Sequence, residues 1–174
     1  MSRKNWSISW WGSLLILLTG CGYHLVGTSS VLPPEVRRIY IPVFVNATNQ
    51  PELEQRLTDT VSREFANRGQ FQLTADPALA DAVLKGEITQ FVTIPMTLDE
   101  QGRATEYQVG ITLKATLQSV DGKTKYWENS SFIYTEKYPL DLSSPDYFDR
   151  LNAVVDEMSG KFAQSLVTSI LEGF

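Results

Sequence analysis

The residues that could do chemistry in this chain are few and poorly placed for catalysis. Of its 174 residues one is a cysteine, Cys21, and one a histidine, His24. His24 has no carboxylate cluster beside it and no second ligand, so neither metal binding nor proton transfer has a partner there. Asp141, Asp146 and Asp149 gather near the start of an expected helix, where the helix dipole favours acids without any catalytic purpose. The chain holds no nucleophile elbow, no phosphate-binding glycine loop and no zinc-ligand spacing. The residues therefore point to a non-enzyme with no catalytic set, no metal and no cofactor.

Cys21 needs a different explanation, and its surroundings supply one. Arg3 and Lys4 precede an apolar stretch from Ile8 to Leu18 that ends in Thr19 and Gly20. This is a secretory signal, too short to be a membrane-spanning helix. Leu18-Thr19-Gly20-Cys21 resembles the lipobox of bacterial lipoproteins, which implies cleavage before Cys21 and a diacylglycerol on its thiol. Several acyl chains, at about 0.8 kcal/mol per buried CH₂, anchor a soluble domain stably. Gly22 resembles the second mature residue of lipoproteins sent to the outer membrane. The alternative is an ordinary signal peptide followed by a buried or free cysteine. Cleavage takes away Arg3 and Lys4 and no acid, leaving 13 basic against 20 acidic residues. A chain so acidic, without a basic stripe, is not a nucleic-acid binder. With Cys21 acylated no disulfide is available, and the domain rests on its packing.

The elements that follow have clear periods. Residues 22–35 carry glycines, serines and Pro33-Pro34 and read as a tether. Val36–Val45 is β-branched and aromatic, a strand that Pro42 assigns to an edge or a bulge. Asn49, with Glu52 three residues on and Pro51 in the first turn, predicts a helix start. Leu53, Leu57, Val61 and Phe65 then form one stripe, and the helix stops at Gly69. Ala82–Ile94 alternates with period two, the even residues on one side and Val83, Lys85, Glu87, Thr89, Phe91 and Thr93 on the other. Tyr107–Leu117 alternates more cleanly, and Asp121-Gly122 signals a two-residue hairpin into a strand over Lys125–Thr135. There Tyr126, Phe132 and Tyr134 share a side and Trp127 takes the other. Ser144 as cap and Pro145 open a last helix, whose stripe is Tyr147, Leu151, Val154, Val155, Met158, Phe162, Leu166 and Ile170.

The order βαβββα predicts an α+β two-layer sandwich, a four-stranded mixed sheet with two long helices on one face. Residues 1–20 read as lipoprotein signal peptide, 21–35 as lipidated tether and 36–174 as a single α+β domain. The side away from the helices would show Lys85, Glu87, Thr89, Thr93, Gln108, Thr112, Lys114 and Thr116, a flat hydroxyl-rich surface. It is either an ordinary solvated face or a wet docking face.

Three stretches resemble the LptE family, the lipoprotein subunit of the outer-membrane lipopolysaccharide translocon. They are Cys21-Gly22-Tyr23-His24-Leu25, "NQPELEQRLTDTVSREFANRG" from Asn49, and "GRATEYQVGITLKATL" over Gly102–Leu117. The resemblance implies a lipid-anchored protein on the periplasmic side of the outer membrane of a Gram-negative bacterium. It would plug the lumen of a β-barrel partner, LptD, help that barrel to assemble, and bind lipopolysaccharide. The family's basic ligand residues lie on loops at the end of the sheet. The matching hairpin here, Asp99–Arg103, is acidic, leaving Arg103 to meet a phosphate, with Lys137 a candidate in a neighbouring loop. A second class of protein, outer-membrane lipoproteins that activate a peptidoglycan synthase, shares the Phe-x-Asn-x-Thr turn seen at Phe44–Thr48. About fifteen residues at roughly 3.3 Å each are too few for its reach across the periplasm.

Overall fold

The computed structural model describes residues 32–139 and 147–173. Cys21 and His24 lie outside the described residues, as do Ser144 and Pro145. The strand expected over 36–45 is divided into β1 (Arg38–Tyr40) and β2 (Val45–Asn46), because Pro42 lacks the N–H a continuous ladder needs. Then come α1 (Leu53–Asn67), β3 (Gln72–Leu73), a short 3-10 turn at Pro77–Leu79, β4 (Ala82–Leu98), β5 (Ala104–Ser119), β6 (Lys125–Tyr138) and α2 (Tyr147–Glu172). The sheet has six strands rather than four, in the order β3-β1-β4-β5-β6, with β2 also paired to β4. β3 was missed because two residues are too few to show a period. β1 is parallel to β3 and β4, and β2 to β4; the long β4–β5 and β5–β6 pairs are antiparallel.

The start of α1 differs from expectation. Asn49 does not cap it. The helix begins at Leu53 after Glu52, which sits in the left-handed region at φ 59° and makes no side-chain cap bond. Asn46 organises this corner instead. Its Nδ2 donates to Gln50 O and Glu54 Oε2, both at 2.8 Å, and its Oδ1 accepts from the Thr48 N–H at 2.9 Å. The other end is as read, with Gly69 at φ +68° just past the helix.

One core lies between the helices and one face of the sheet. Leu53, Leu57, Val61 and Phe65 are fully buried, each contributing about 1.5–3 kcal/mol by leaving water. From α2, Val155, Met158, Phe162, Leu166 and Ile170 join them, as do Tyr107, Val109, Ile111, Leu113 and Leu117 of β5. Leu32, in the segment read as tether, is also buried in this core. The helices run parallel side by side. Arg56 of α1 pairs with Asp156 of α2, and Arg68, just past α1, donates to the Thr168 hydroxyl at 2.9 Å.

Two contacts fix the minor strands to β4. Phe44, between β1 and β2, lays its ring on Gly86, where a Cβ would sit 2.7 Å from the ring. Asp81 receives the Arg38 and Arg37 backbone N–H groups at 2.8 and 3.2 Å and the Arg38 guanidinium at 2.9 Å. The Arg38 side chain and these backbone donors hold its carboxyl down at about 2.

Bulges correct the alternation. β4 slips register between Ile88 and Gln90, so Phe91 stands opposite Ile111 and Thr93 opposite Val109. Phe91 and Thr93 therefore face the helices, while Val92 and Ile94 turn to the open side. β6 slips between Asn129 and Phe132, which sets Trp127, Phe132 and Tyr134 opposite Leu117, Leu113 and Ile111 on the helix side. The turn after β5 is longer than two residues: Ser119 N–H donates to Thr124 O at 2.8 Å across Gly122 at φ +72°.

Gly86→Ala must displace the Phe44 ring and is expected to cost about 1–3 kcal/mol in urea unfolding. Gly160→Ala in α2, with nothing within 4 Å of the new Cβ, should instead gain about 0.5–1 kcal/mol from helix propensity. Asp81→Asn should destabilise at neutral pH. Because the folded carboxyl lies below its unfolded value, the gap between wild type and variant is present above about pH 4 and closes as pH falls towards 2.

Candidate functional site

With both helices on one face, three surfaces remain for function: the hairpin joining β4 to β5, the open face of the sheet, and the groove beside β6. β4 has 17 residues, about 55 Å of strand, whereas α2 with 26 residues is about 39 Å long. The β4–β5 hairpin thus outreaches the longer helix. Its end carries exposed Ile94, Met96 and Leu98.

Arg103 closes that hairpin, at the opposite end of the sheet from Leu32. Asp99 Oδ1 accepts the Gln101 and Arg103 N–H groups at 2.9 and 2.8 Å, and Asp99 Oδ2 accepts Arg103 Nε at 2.8 Å. Gly102 supplies the φ of +76° that the turn requires. These donors, the Arg103 N–H first, keep the Asp99 carboxyl below its ordinary value. The guanidinium therefore arrives already paired, although two-thirds exposed. Lys137 lies within β6, not in a loop, opposite Gln108 on the open face. Five residue steps, about 17 Å, separate Gln108 of β5 from Arg103. Both cations are at the hairpin end of the sheet, but they do not form one cluster.

The open face has two zones. Near the end where the chain enters, charges alternate: Glu87 stands opposite Lys114, and Lys125 holds Glu128 at 2.8 Å, which lowers the Glu128 carboxyl. Towards the hairpin, the surface consists of Val92, Ile94, Gln108, Gly110, Thr112, Ile133, Thr135 and Lys137. A Cβ on Gly110 would lie 3.0 Å from Val92 Cγ2 and 3.3 Å from Thr135 Cγ2. Those methyls close over the glycine and make the zone flat. Thr112 and Thr135 supply the expected hydroxyls, but Ile94 at 49 % and Ile133 at 63 % exposure add an apolar character that the sequence reading missed. Alternation counted without the bulge puts Ile94 on the wrong side.

Beside β6 runs a groove of about 960 Å³ between that strand, α2 and the end of α1, lined by Phe132, Tyr134, Lys161, Gln164 and Thr168 among others. Lys161 Nζ lies 2.6 Å from Glu136 Oε1 and 3.0 Å from Glu157. The Tyr134 hydroxyl donates to the other Glu136 oxygen at 2.7 Å. Lys161 and Tyr134 hold the Glu136 carboxyl below its usual value, while burial and Glu136 push Tyr134 up to about 12. No periodicity marks this groove. It exists because the bulge in β6 turns Phe132 and Tyr134 towards Phe162, whose ring meets theirs edge-on at 5.5 and 6.3 Å.

Comparisons place this architecture. The solution structure of a lipoprotein B from Nitrosomonas europaea is similar with a TM-score of 0.54 at 12 % identity, over 85 % of this chain and 90 % of that one. The crystal structure of the rare lipoprotein B from Shewanella oneidensis gives 0.51 at 15 % identity, over 77 % and 93 %. At such identities these likenesses speak for the fold alone. No curated protein matches the sequence. The family model described as lipopolysaccharide-assembly matches residues 36–170, nearly all of the packed chain, and the protein belongs to the LptE family.

Proposed function

We propose that this chain is an outer-membrane lipoprotein, made with a signal peptide over residues 1–20 and anchored through acylated Cys21 on the periplasmic side. In this reading it plugs the LptD β-barrel, helps it to assemble, and presents its hairpin end to lipopolysaccharide. The observation that carries the reading is the family match over residues 36–170. The one-sided sheet agrees with it: a broad face of hydroxyls, amides and a few methyls suits a wet protein lumen as well as bulk water. No helix among the described residues is long and apolar enough to cross a membrane, so attachment through Cys21 would fall to the lipid.

Arg103 and Lys137 are the cations proposed to meet lipopolysaccharide phosphates. Arg103 does so in competition with Asp99, 2.8 Å away. Lipopolysaccharide binding at the hairpin is therefore weaker than two free cations would give.

Native protein purified from outer membranes should bring a large β-barrel with it in equal amount. Recovery of a peptidoglycan synthase in its place would overturn the reading. Cys21→Ala should move the protein from the membrane to the soluble periplasmic fraction. In a lipopolysaccharide pull-down, Arg103→Glu should weaken retention several-fold without changing the unfolding midpoint. Asp99→Ala, which frees the guanidinium, should strengthen it. Unchanged retention in both removes the hairpin from the ligand site.

A further inference from the structure

The outer edge of β6 is open. Among the described residues β6 has a neighbour on one side only, β5. Which of its backbone groups face outward follows from β5. Ser119 N–H is spent on Thr124 O at the β6 side, whereas Thr112 turns its carbonyl to the Thr89 hydroxyl on the β4 side, 3.3 Å away. Odd residues of β5 thus bond to β6 and even ones to β4. Ile133, Thr135 and Lys137, opposite Thr112, Gly110 and Gln108, form the wide pairs and direct their own N–H and C=O groups away from the sheet. Three outward donor–acceptor pairs at every second residue are a template for another strand.

The groove described above adjoins this edge, and its charges are already satisfied. Arg68 is paired with Glu64 at 2.9 Å and Lys161 with Glu136 at 2.6 Å. The remaining lining is amide, hydroxyl and ring, as in Gln164, Ser165, Thr168 and Phe132. A charged occupant would have to displace these partners, Glu64 from Arg68 or Glu136 from Lys161, to find a counter-ion, so the groove complements an uncharged one. Repeating outward amides select a polypeptide over a carbohydrate.

We infer that an uncharged, hydroxyl- and amide-rich extended segment of the barrel partner adds to β6 along Ile133–Lys137, with alternate side chains in the groove beside α2. This rests on the barrel-partner reading and specifies which edge of this chain the partner takes.

The test is amide hydrogen exchange on the full-length acylated protein, alone and in the complex isolated from outer membranes. The amides of Ile133, Thr135 and Lys137 should exchange about tenfold or more slowly in the complex than alone. Thr135→Pro, which deletes an outward N–H, and Ser165→Glu, which adds a carboxylate to an exposed position of the groove, should each reduce barrel recovery several-fold with the melting temperature kept. Undiminished recovery with unslowed edge amides would overturn strand addition and leave the barrel reading standing. Slowing that appears in the isolated protein as its concentration rises would assign the edge to a second copy and overturn the inference. So would slowing produced by purified core oligosaccharide alone. Recovery of no barrel at all would overturn the reading beneath it.

Discussion

Burial of one face of a very long antiparallel ribbon under two helices is the constraint on which everything else depends. β4 and β5 pair over nearly their whole length, and the buried residues of β5 meet a continuous apolar stripe from each helix. Once both helices lie on the same side, the other side of the sheet, the hairpin beyond the helices and the outer edge of β6 must be left to solvent or to another molecule. Those are the surfaces proposed for function. The packed side carries stability, and the cluster of Lys161 with Glu136 and Glu157 lies at its edge, between α2 and β6.

The parts of this fold that are legible in the sequence are those with an uninterrupted period. The stripe of α1 and the odd residues of β5 from Tyr107 to Leu117 are where four-residue spacing and strict alternation put them, and all of these are buried. Three kinds of feature were not legible. Strands of two or three residues, such as β3 and the divided β1 and β2, are held by neighbours and not by their own pattern. Asn49 looked like a cap by type and spacing, yet Asn46 takes over the corner through four bonds to local groups. Bulges are the costliest omission, since one extra residue in β4 exchanges the two faces of the residues that follow, as far as Pro95. A count that ignores the slip at Thr89 buries Ile94 and exposes Phe91, the reverse of the structure.

The candidate site shows the same division. The place of Arg103 at a hairpin end is readable from its turn residues, but its capture by Asp99 is a matter of three-dimensional geometry within five residues. The sequence pattern ends the last strand at Thr135 and leaves Lys137 to a loop, whereas β6 runs on to Tyr138. The groove left no trace in the sequence, since it joins residues from three elements that approach only when α2 settles against α1. The short helix ends and bulged strands that hide from sequence reading are also where the exposed surfaces lie.

The parallel arrangement of α1 and α2 has an electrostatic consequence. Neighbouring helices that run antiparallel cancel each other's macrodipoles, but here the two add, each equivalent to roughly half an elementary charge at either end. Their amino ends point along β4 towards the Arg103 hairpin and their carboxyl ends towards Leu32, and neither helix places a basic residue in its last turn. That amino pole is met by acids in the first turns, Glu54 of α1 and Asp149 of α2, which offset the partial positive charge there.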